Sequence, residues 1–136
     1  MTENIQLLST FWGEAPTLEG ITLMPGGFFA GWRGKDLFFS EPFRPWAWNP
    51  AYQLSVPHRI VGCGVHADAL VVLTDGRPSI VSGYRPDSLA LTTWEAPEPC
   101  LTANSVTATP EGVFFVGPKG LMAVTASGLR NLTRGL

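Results

Sequence analysis

Residues 70–82 read LVVLTDGRPSIVS, two short apolar runs on either side of a turn. Asp75, Gly76 and Pro78 supply the turn, because aspartate, glycine and proline are the residues that tight turns favour. The first run is rich in β-branched residues and shows no polar alternation, which is the pattern of a strand buried on both faces. The stretch therefore predicts a hairpin that is packed between other β-sheets.

Two more stretches follow the same pattern, and Phe28, Val71 and Phe114 mark matching positions that lie 43 residues apart. In each case a short strand precedes the apolar run, a turn that contains glycine follows it, and another strand comes next. A less regular fourth strand completes a unit of about 43 residues. Four strands in that length are typical of a β-propeller blade, although short β-meanders in a sandwich look similar.

The whole chain, 1–136, is predicted to be a single all-β domain of propeller-like, four-stranded antiparallel sheets. The three units cover approximately 20–60, 61–104 and 105–136, and residues 5–16 are expected to form an outer strand. Propellers close with about four to eight blades. Three units therefore imply that other copies or other chains complete a ring, or that the units form an open stack. The core is expected to contain six residues of the central runs: Phe28, Phe29, Val71, Val72, Phe114 and Phe115.

The composition disfavours several classes of protein. Only 15% of the residues are charged, and 15 glycines and 12 prolines are spread along the chain, which leaves little room for long packed helices. The net charge of −2 makes a nucleic-acid partner unexpected, because phosphate binding calls for a basic surface. No apolar run is long enough to span a membrane, and the first residues do not resemble a secretory signal.

The candidate motifs for cofactors and metals are better explained as structure. Residues 62–67 read GCGVHA and fit the dinucleotide fingerprint G-x-G-x-x-A, but that fingerprint needs a helix after it and a β-branched strand follows here. Cys63 and His66, with His58 and Cys100, lack the paired short spacings of a structural zinc site. We therefore expect no cofactor, no metal, and two reduced thiols that pack as small apolar residues.

No catalytic residue is expected either. The two histidines lie outside any recognisable nucleophile motif. Four aspartates lie in or beside predicted turns, where their side chains help to form the turn: Asp36, Asp68, Asp75 and Asp87. The chain is predicted not to be an enzyme.

Aromatic residues are concentrated at 41–52, which reads EPFRPWAWNPAY. The three prolines restrict the backbone before any partner binds, and Trp, Tyr and Arg are the residues enriched at interface anchors. If the stretch is an extended loop, Trp46 and Trp48 point to one side and Ala47 to the other. We expect a protein interface here, with a stiff loop that covers its own core as the alternative. The candidate interface residues are Phe43, Arg44, Trp46, Trp48 and Tyr52.

A family resemblance rests on the hairpin at 70–83 and on the segments that follow it, 84–89 and 99–101. It extends to residues 40–48, with Glu-Pro, Arg-Pro and Ala-Trp in succession, and to the Gly-Val and Gly-Leu hairpin at 110–121. These features resemble β-propeller-containing virion structural proteins of tailed phages and prophages, and are similar to the tail nozzle proteins of short-tailed phages. The chain has about three units where those proteins have a full ring.

The resemblance implies a non-enzymatic structural protein of the phage tail or associated with it, which is made in the bacterial host cytoplasm and resides in the virion. Its partners would be other tail proteins and further copies of itself, with no nucleic acid and no membrane. The alternative is a small carbohydrate- or cell-surface-binding β module that uses the aromatic segment, because aromatic rings also serve as stacking platforms for sugars.

Overall fold

The computed structural model describes residues 17–95, 97–125 and 128–133, without the side chains of Pro45 and Trp46. Within these ranges the protein is all-β, with three antiparallel sheets and two short 3₁₀ turns at Pro50–Tyr52 and Ala103–Ser105. None of the described helical turns is long and apolar enough to cross a membrane. The predicted outer strand at 5–16 lies outside the described residues.

Each sheet is a meander whose strands pair in chain order. Sheet 1 consists of β1 (Gly20–Leu23), β2 (Phe29–Arg33), β3 (Asp36–Glu41) and β4 (Arg44–Trp48), and the short β5 (Leu54–Ser55) also pairs with β3. Sheet 2 consists of β6 (Ile60–His66), β7 (Ala69–Thr74), β8 (Ser79–Ser82) and β9 (Ala90–Thr93). Sheet 3 consists of β10 (Thr107–Thr109), β11 (Gly112–Gly117), β12 (Gly120–Thr125) and β13 (Gly128–Asn131).

The turn between β7 and β8 is held by the buried side chain of Thr74. Its hydroxyl accepts a hydrogen bond from the Gly76 backbone N–H at 3.1 Å and donates one to the Arg77 carbonyl at 2.7 Å. Because a buried hydroxyl needs hydrogen-bond partners, this arrangement satisfies Thr74 while it fixes the turn. The hairpin predicted at 70–82 is confirmed.

Sheet 2 lies between the other two sheets, and β7 contributes to both cores. Leu70 and Val72 pack in a cluster with sheet 1, whereas Val71 and Leu73 pack in a second cluster with sheet 3. Successive residues of a strand point to opposite faces, so an uninterrupted apolar strand is what a middle sheet requires. The prediction that this run is buried on both faces is therefore confirmed.

The first strands of the three sheets approach one another. Strand β6 contacts both β1 and β10, while contacts among the last strands of the sheets are sparser. Two glycines of β6 permit the approach: a Cβ at Gly62 would lie 2.9 Å from Val106 Cγ2, and one at Gly64 would lie 3.0 Å from Val113 Cγ1. The stack is thus tightest along its first strands.

The 43-residue repeat is present in the strand boundaries, with one local departure. Leu23, His66 and Thr109 end the first strands of the three sheets and are spaced by 43 and 43 residues. In sheets 2 and 3 a two-residue turn leads to the second strand, whereas sheet 1 has the five-residue loop 24–28. Strand β2 therefore begins three residues later than the repeat predicts.

The aromatic segment was predicted as a loop, and this prediction is wrong for its central part. Arg44–Trp48 forms β4, the edge strand of sheet 1. An edge strand tolerates proline because one side of it has no partner that needs the missing N–H. Pairing shifts between Ser40 and Glu41, since Ser40 pairs with Trp48 while Glu41 pairs with Arg44. Because of this irregularity, the side chains along β4 do not strictly alternate between the two faces of the sheet.

Candidate functional site

Three Phe-Phe pairs show which faces of the stack are covered and which are open. Phe28, Phe39 and Phe115 are buried in the two cores, with at most 1% of each residue exposed. Their neighbours Phe29, Phe38 and Phe114 are only half-buried. Because neighbours in a strand face opposite ways, the half-buried rings belong to the outer faces of sheets 1 and 3.

The expectation that six residues of the central runs are buried is therefore correct for four of them. Val71 and Val72 are buried because sheet 2 has a sheet on each side. Phe29 and Phe114 are not fully buried, because no further sheet packs on their faces within the part of the chain that the structure describes. These two exceptions locate the two ends of the stack.

The first of these surfaces, the sheet-1 end face, is apolar across three strands. Cross-strand pairing places Ile21 beside Gly31 and Phe38, and Leu23 beside Phe29. Leu18 covers Gly31, and the Arg33 guanidinium lies 5.6 Å from the centre of the Phe38 ring. Ile21 and Leu23 remain 53% and 56% exposed. We define this face by Ile21, Leu23, Phe29 and Phe38.

The second surface, the sheet-3 end face, lies at the opposite end of the stack. Val116 pairs with Leu121, and the Leu121 carbonyl accepts a hydrogen bond from the Leu132 N–H. These three side chains form a row across β11, β12 and the residue that follows β13, and each is 37–39% exposed. Phe114 lies in the next row. We define this face by Phe114, Val116, Leu121 and Leu132.

The two end faces correspond by repeat to the two faces of sheet 2. Leu70 and Val72 face sheet 1, and their equivalents 43 residues later, Val113 and Phe115, face sheet 2. Sheets 2 and 3 therefore turn the same face toward the sheet that precedes them. By the same spacing Phe114 corresponds to Val71, which packs on sheet 3.

In sheet 1 the comparison holds for the faces and not for the 43-residue spacing, because β2 is displaced by three residues. Phe28 packs toward the next sheet, as Val71 does, so Phe29, which faces the other way, lies on the side that Val72 turns toward the preceding sheet. Each end face is thus the counterpart of a surface that is covered elsewhere in the chain. An apolar face of this kind is the usual mark of a contact site on a soluble protein.

The residues predicted at the aromatic interface have different environments. Phe43 is 80% exposed at a backbone φ of 58°, with its N–H bonded to the Gly27 carbonyl at 2.8 Å, and Arg44 is exposed. Trp48 is only 4% exposed, as is Ala47. Trp48 is therefore not available on the surface of the single chain. The predicted position of the Trp46 ring lies outside the described side chains.

Tyr52, the remaining candidate, is tied to its own chain. Its hydroxyl donates a hydrogen bond to Glu41 Oε1 at 2.5 Å, and its ring packs against the first core. The hydrogen bond to Glu41, with some burial, raises the pKa of Tyr52 above its ordinary value. The alternative interpretation of the segment, that it covers its own core, therefore describes Tyr52. It does not describe Phe43 and Arg44.

The two cysteines lie in separate cores. Cys63 packs against the cluster between sheets 1 and 2, and Cys100 belongs to the cluster between sheets 2 and 3. The apolar surroundings of the Cys63 thiol raise its pKa well above the ordinary value, although part of the residue is accessible. Burial also raises the pKa of Cys100, although hydrogen bonding with the Ser105 side chain and with the Thr102 backbone acts in the other direction.

We expect both thiols to react slowly with a disulfide reagent in the native protein at pH 8, because the thiolate is the reactive form. Each unit of raised pKa lowers the thiolate fraction about tenfold. Reaction should be rapid in guanidinium chloride, and native stability should fall above about pH 8.5, where only unfolded thiols ionise freely. Fast native labelling, or stoichiometric zinc in the purified protein, would contradict this account.

An open groove of about 470 Å³ lies where the first strands meet, and it is lined by Trp32, Cys63 and Val106 among others. Glu19 stands at its rim, accepting a hydrogen bond from the Gly34 N–H at 2.6 Å and pairing with Arg59 at 3.2 Å. The Gly34 hydrogen bond, followed by the Arg59 contact, lowers the pKa of Glu19 despite some desolvation. Glu19 is therefore an ionised, engaged carboxylate and is poorly suited to act as a general acid at neutral pH.

The remaining sequence motifs have structural positions. Gly62 and Gly64 lie inside β6, and the segment after the GCGVHA motif is strand β7, so no helix N-terminus meets this motif. Asp68 lies in the two-residue turn before β7 and accepts a hydrogen bond from the Tyr84 hydroxyl at 3.3 Å. Among the described residues, no three histidine, cysteine or acidic side chains are grouped as a metal site would need.

The sequence analysis did not single out the end faces. Two of the Phe-Phe pairs, Phe28-Phe29 and Phe114-Phe115, were predicted only as core, because a pair in a strand between two sheets is buried on both sides. Comparison with known proteins gives no match, either among protein-family models or among curated proteins. The likeness to phage virion proteins therefore stays a prediction from the sequence motifs.

Proposed function

We propose that this chain is a non-enzymatic structural protein that acts by protein–protein assembly through its sheet-1 and sheet-3 end faces. One observation carries the proposal: Phe29 and Phe114 are half-buried on faces whose counterparts in sheet 2, the faces of Val72 and Val71, are fully covered. A stack that ends on two such faces exposes apolar surface which a further sheet would remove from water.

The arrangement proposed for the sheets is that of propeller blades. Three features support it: four antiparallel strands per unit, the 43-residue spacing, and first strands that approach one another while contacts among the last strands are sparser. The proposed setting is the tail of a phage or prophage virion, with other tail proteins as further partners. This setting is supported by the sequence resemblance.

We expect Val116→Glu to weaken self-association at least about tenfold, because a charge buried at an apolar contact costs more than about 1.4 kcal/mol. The monomer should keep its stability within about 0.5 kcal/mol, since Val116 is partly exposed in it. Sedimentation equilibrium gives the association constant, and urea unfolding at low protein concentration gives the stability.

Ala90→Glu is the matched control. Ala90 is an exposed apolar residue on the edge strand of sheet 2, the middle sheet, and it acquires the same charge away from both end faces. It should leave association and stability unchanged. If Val116→Glu and Ala90→Glu associate equally well, the sheet-3 end face is not a contact surface and the proposal is wrong.

A further inference from the structure

We infer that two copies of this chain close a ring of six sheets, in which the sheet-1 end face of each copy packs on the sheet-3 end face of the other. This inference rests on the proposed function and specifies the partner and the pairing of the faces. It commits to a second copy as the occupant of both faces.

The pairing follows from the contacts inside the chain. Sheet 2 binds sheet 3 through Val71 and Leu73, and the residues 43 positions later, Phe114 and Val116, belong to the sheet-3 end face. The surface that receives a following sheet is therefore repeated at the end of sheet 3. A contact made there continues a mode of packing that the chain already uses.

The partner surface is the sheet-1 end face by the same reasoning. Val72 faces the sheet that precedes sheet 2, and the half-buried Phe29 lies on the corresponding face of sheet 1. No sheet precedes sheet 1 among the described residues. Sheet 3 of another copy supplies such a neighbour with the matching face, so that the contact between copies resembles the contacts within each copy.

The number of copies follows from closure. Rings of packed four-stranded sheets close with about four to eight members. With the three sheets of the described residues, one, two or three copies supply three, six or nine members, and six is the one multiple in that range. Two copies then bury all four end faces in two equivalent contacts related by a two-fold axis, which is the commonest symmetry of soluble oligomers.

A contact between two identical end faces agrees less well with the observed packing than the head-to-tail contact does. If two sheet-1 end faces packed together, both sheet-3 end faces would stay in water. Such a contact would also join identical surfaces, which happens at neither internal interface: Leu70 and Val72 of sheet 2 meet sheet 1, while Val71 and Leu73 meet sheet 3. The observed packing has a direction, and the ring preserves it.

A complementation experiment tests the pairing. Leu23→Lys places a positive charge on the sheet-1 end face, and Val116→Glu places a negative charge on the sheet-3 end face. Each variant alone puts its charge against an apolar surface in both contacts of a ring, so sedimentation equilibrium should give a monomer at concentrations where the wild type is dimeric. Circular dichroism and urea unfolding check that both variants are folded.

Mixing the two folded variants in equal amounts should restore the dimer. One contact then pairs the positive charge of the Leu23→Lys copy with the negative charge of the Val116→Glu copy, and the other contact joins two unaltered faces. We expect the mixture to associate at least about tenfold more tightly than either variant alone, because one contact is intact and the other pairs opposite charges. Ile21→Lys with Leu121→Glu repeats the design at neighbouring positions if either first variant fails to fold.

The failures are distinguishable. If Val116→Glu alone stays dimeric while Leu23→Lys alone is monomeric, like faces pair, and the ring is wrong while assembly through end faces stands. If both single variants are monomeric and the folded mixture is monomeric too, the head-to-tail pairing is wrong. If the wild type is monomeric at every concentration, neither the ring nor self-assembly is correct.

Discussion

Phe115→Ala should lower the free energy of unfolding by about 3–5 kcal/mol, the usual cost of removing a buried phenylalanine from a packed core. Phe115 is fully buried in the cluster between sheets 2 and 3. Removal of its ring leaves a cavity between two sheets that are held by backbone hydrogen bonds within each sheet and adjust only partly. Urea unfolding at low protein concentration measures the change.

Phe114→Ala is the matched control, because it makes the same substitution one residue away on the opposite face of β11. Phe114 is half-buried on the sheet-3 end face, so its loss should cost less than half as much in the monomer. Its main effect should be on association. Equal losses of monomer stability for the two variants would mean that another part of the chain covers the sheet-3 end face.

Phe39→Ala should lower the free energy of unfolding by about 3–5 kcal/mol, because it removes a buried phenylalanine from the core between sheets 1 and 2. Phe39 is 1% exposed, and its ring meets that of Phe28 edge to face, with the ring centres 6.1 Å apart and the planes at 64°. Such a pair adds about 0.5–1.5 kcal/mol beyond burial. Thermal and urea unfolding of the variant give the loss.

The control for this core is Phe38→Ala, on the neighbouring position of β3. Phe38 is half-buried on the sheet-1 end face beneath Arg33, and its removal should cost clearly less stability than that of Phe39. A double-mutant cycle of Phe39→Ala with Phe28→Ala should show coupling, because the two rings touch. A Phe38 variant as unstable as the Phe39 variant would refute the assignment of faces in sheet 1.

The strands of sheet 2 could be predicted from the sequence because local and tertiary signals agree there. The run at 70–74 is apolar at every position before Thr74, and the turn residues that follow leave little choice of conformation. Tertiary packing then uses both faces of β7. The 43-residue repeat predicted the same strands in sheet 3, because the turn between the first and second strands has the same length in sheets 2 and 3.

Strand β4 could not be predicted in the same way. Pro45 and the prolines on either side of β4 at 42 and 50 indicate a loop when the strand is assumed to lie inside a sheet. Whether a strand lies at an edge is a tertiary property, and the sequence around Arg44–Trp48 does not carry it. Trp48 on that strand is only 4% exposed, a burial that the local sequence does not indicate.

The end faces were hidden from sequence analysis for a related reason. Phe29 and Phe114 have the same local pattern as Val72 and Phe115, and only the order of the sheets shows which positions lack a neighbour. The sequence signal that could have indicated the end faces is the size of the side chains. Both end sheets have large apolar side chains on their outer faces, where a sheet in contact with water is expected to have polar residues at alternate positions.

The mass of the wild-type protein in solution is the most direct measurement of the central claim, that the two end faces are contact surfaces for a second copy. Native mass spectrometry and light scattering, over a wide range of protein concentration, should give twice 14.7 kDa at the upper end and a reversible shift toward 14.7 kDa on dilution. A single species of 14.7 kDa at every concentration would contradict the account.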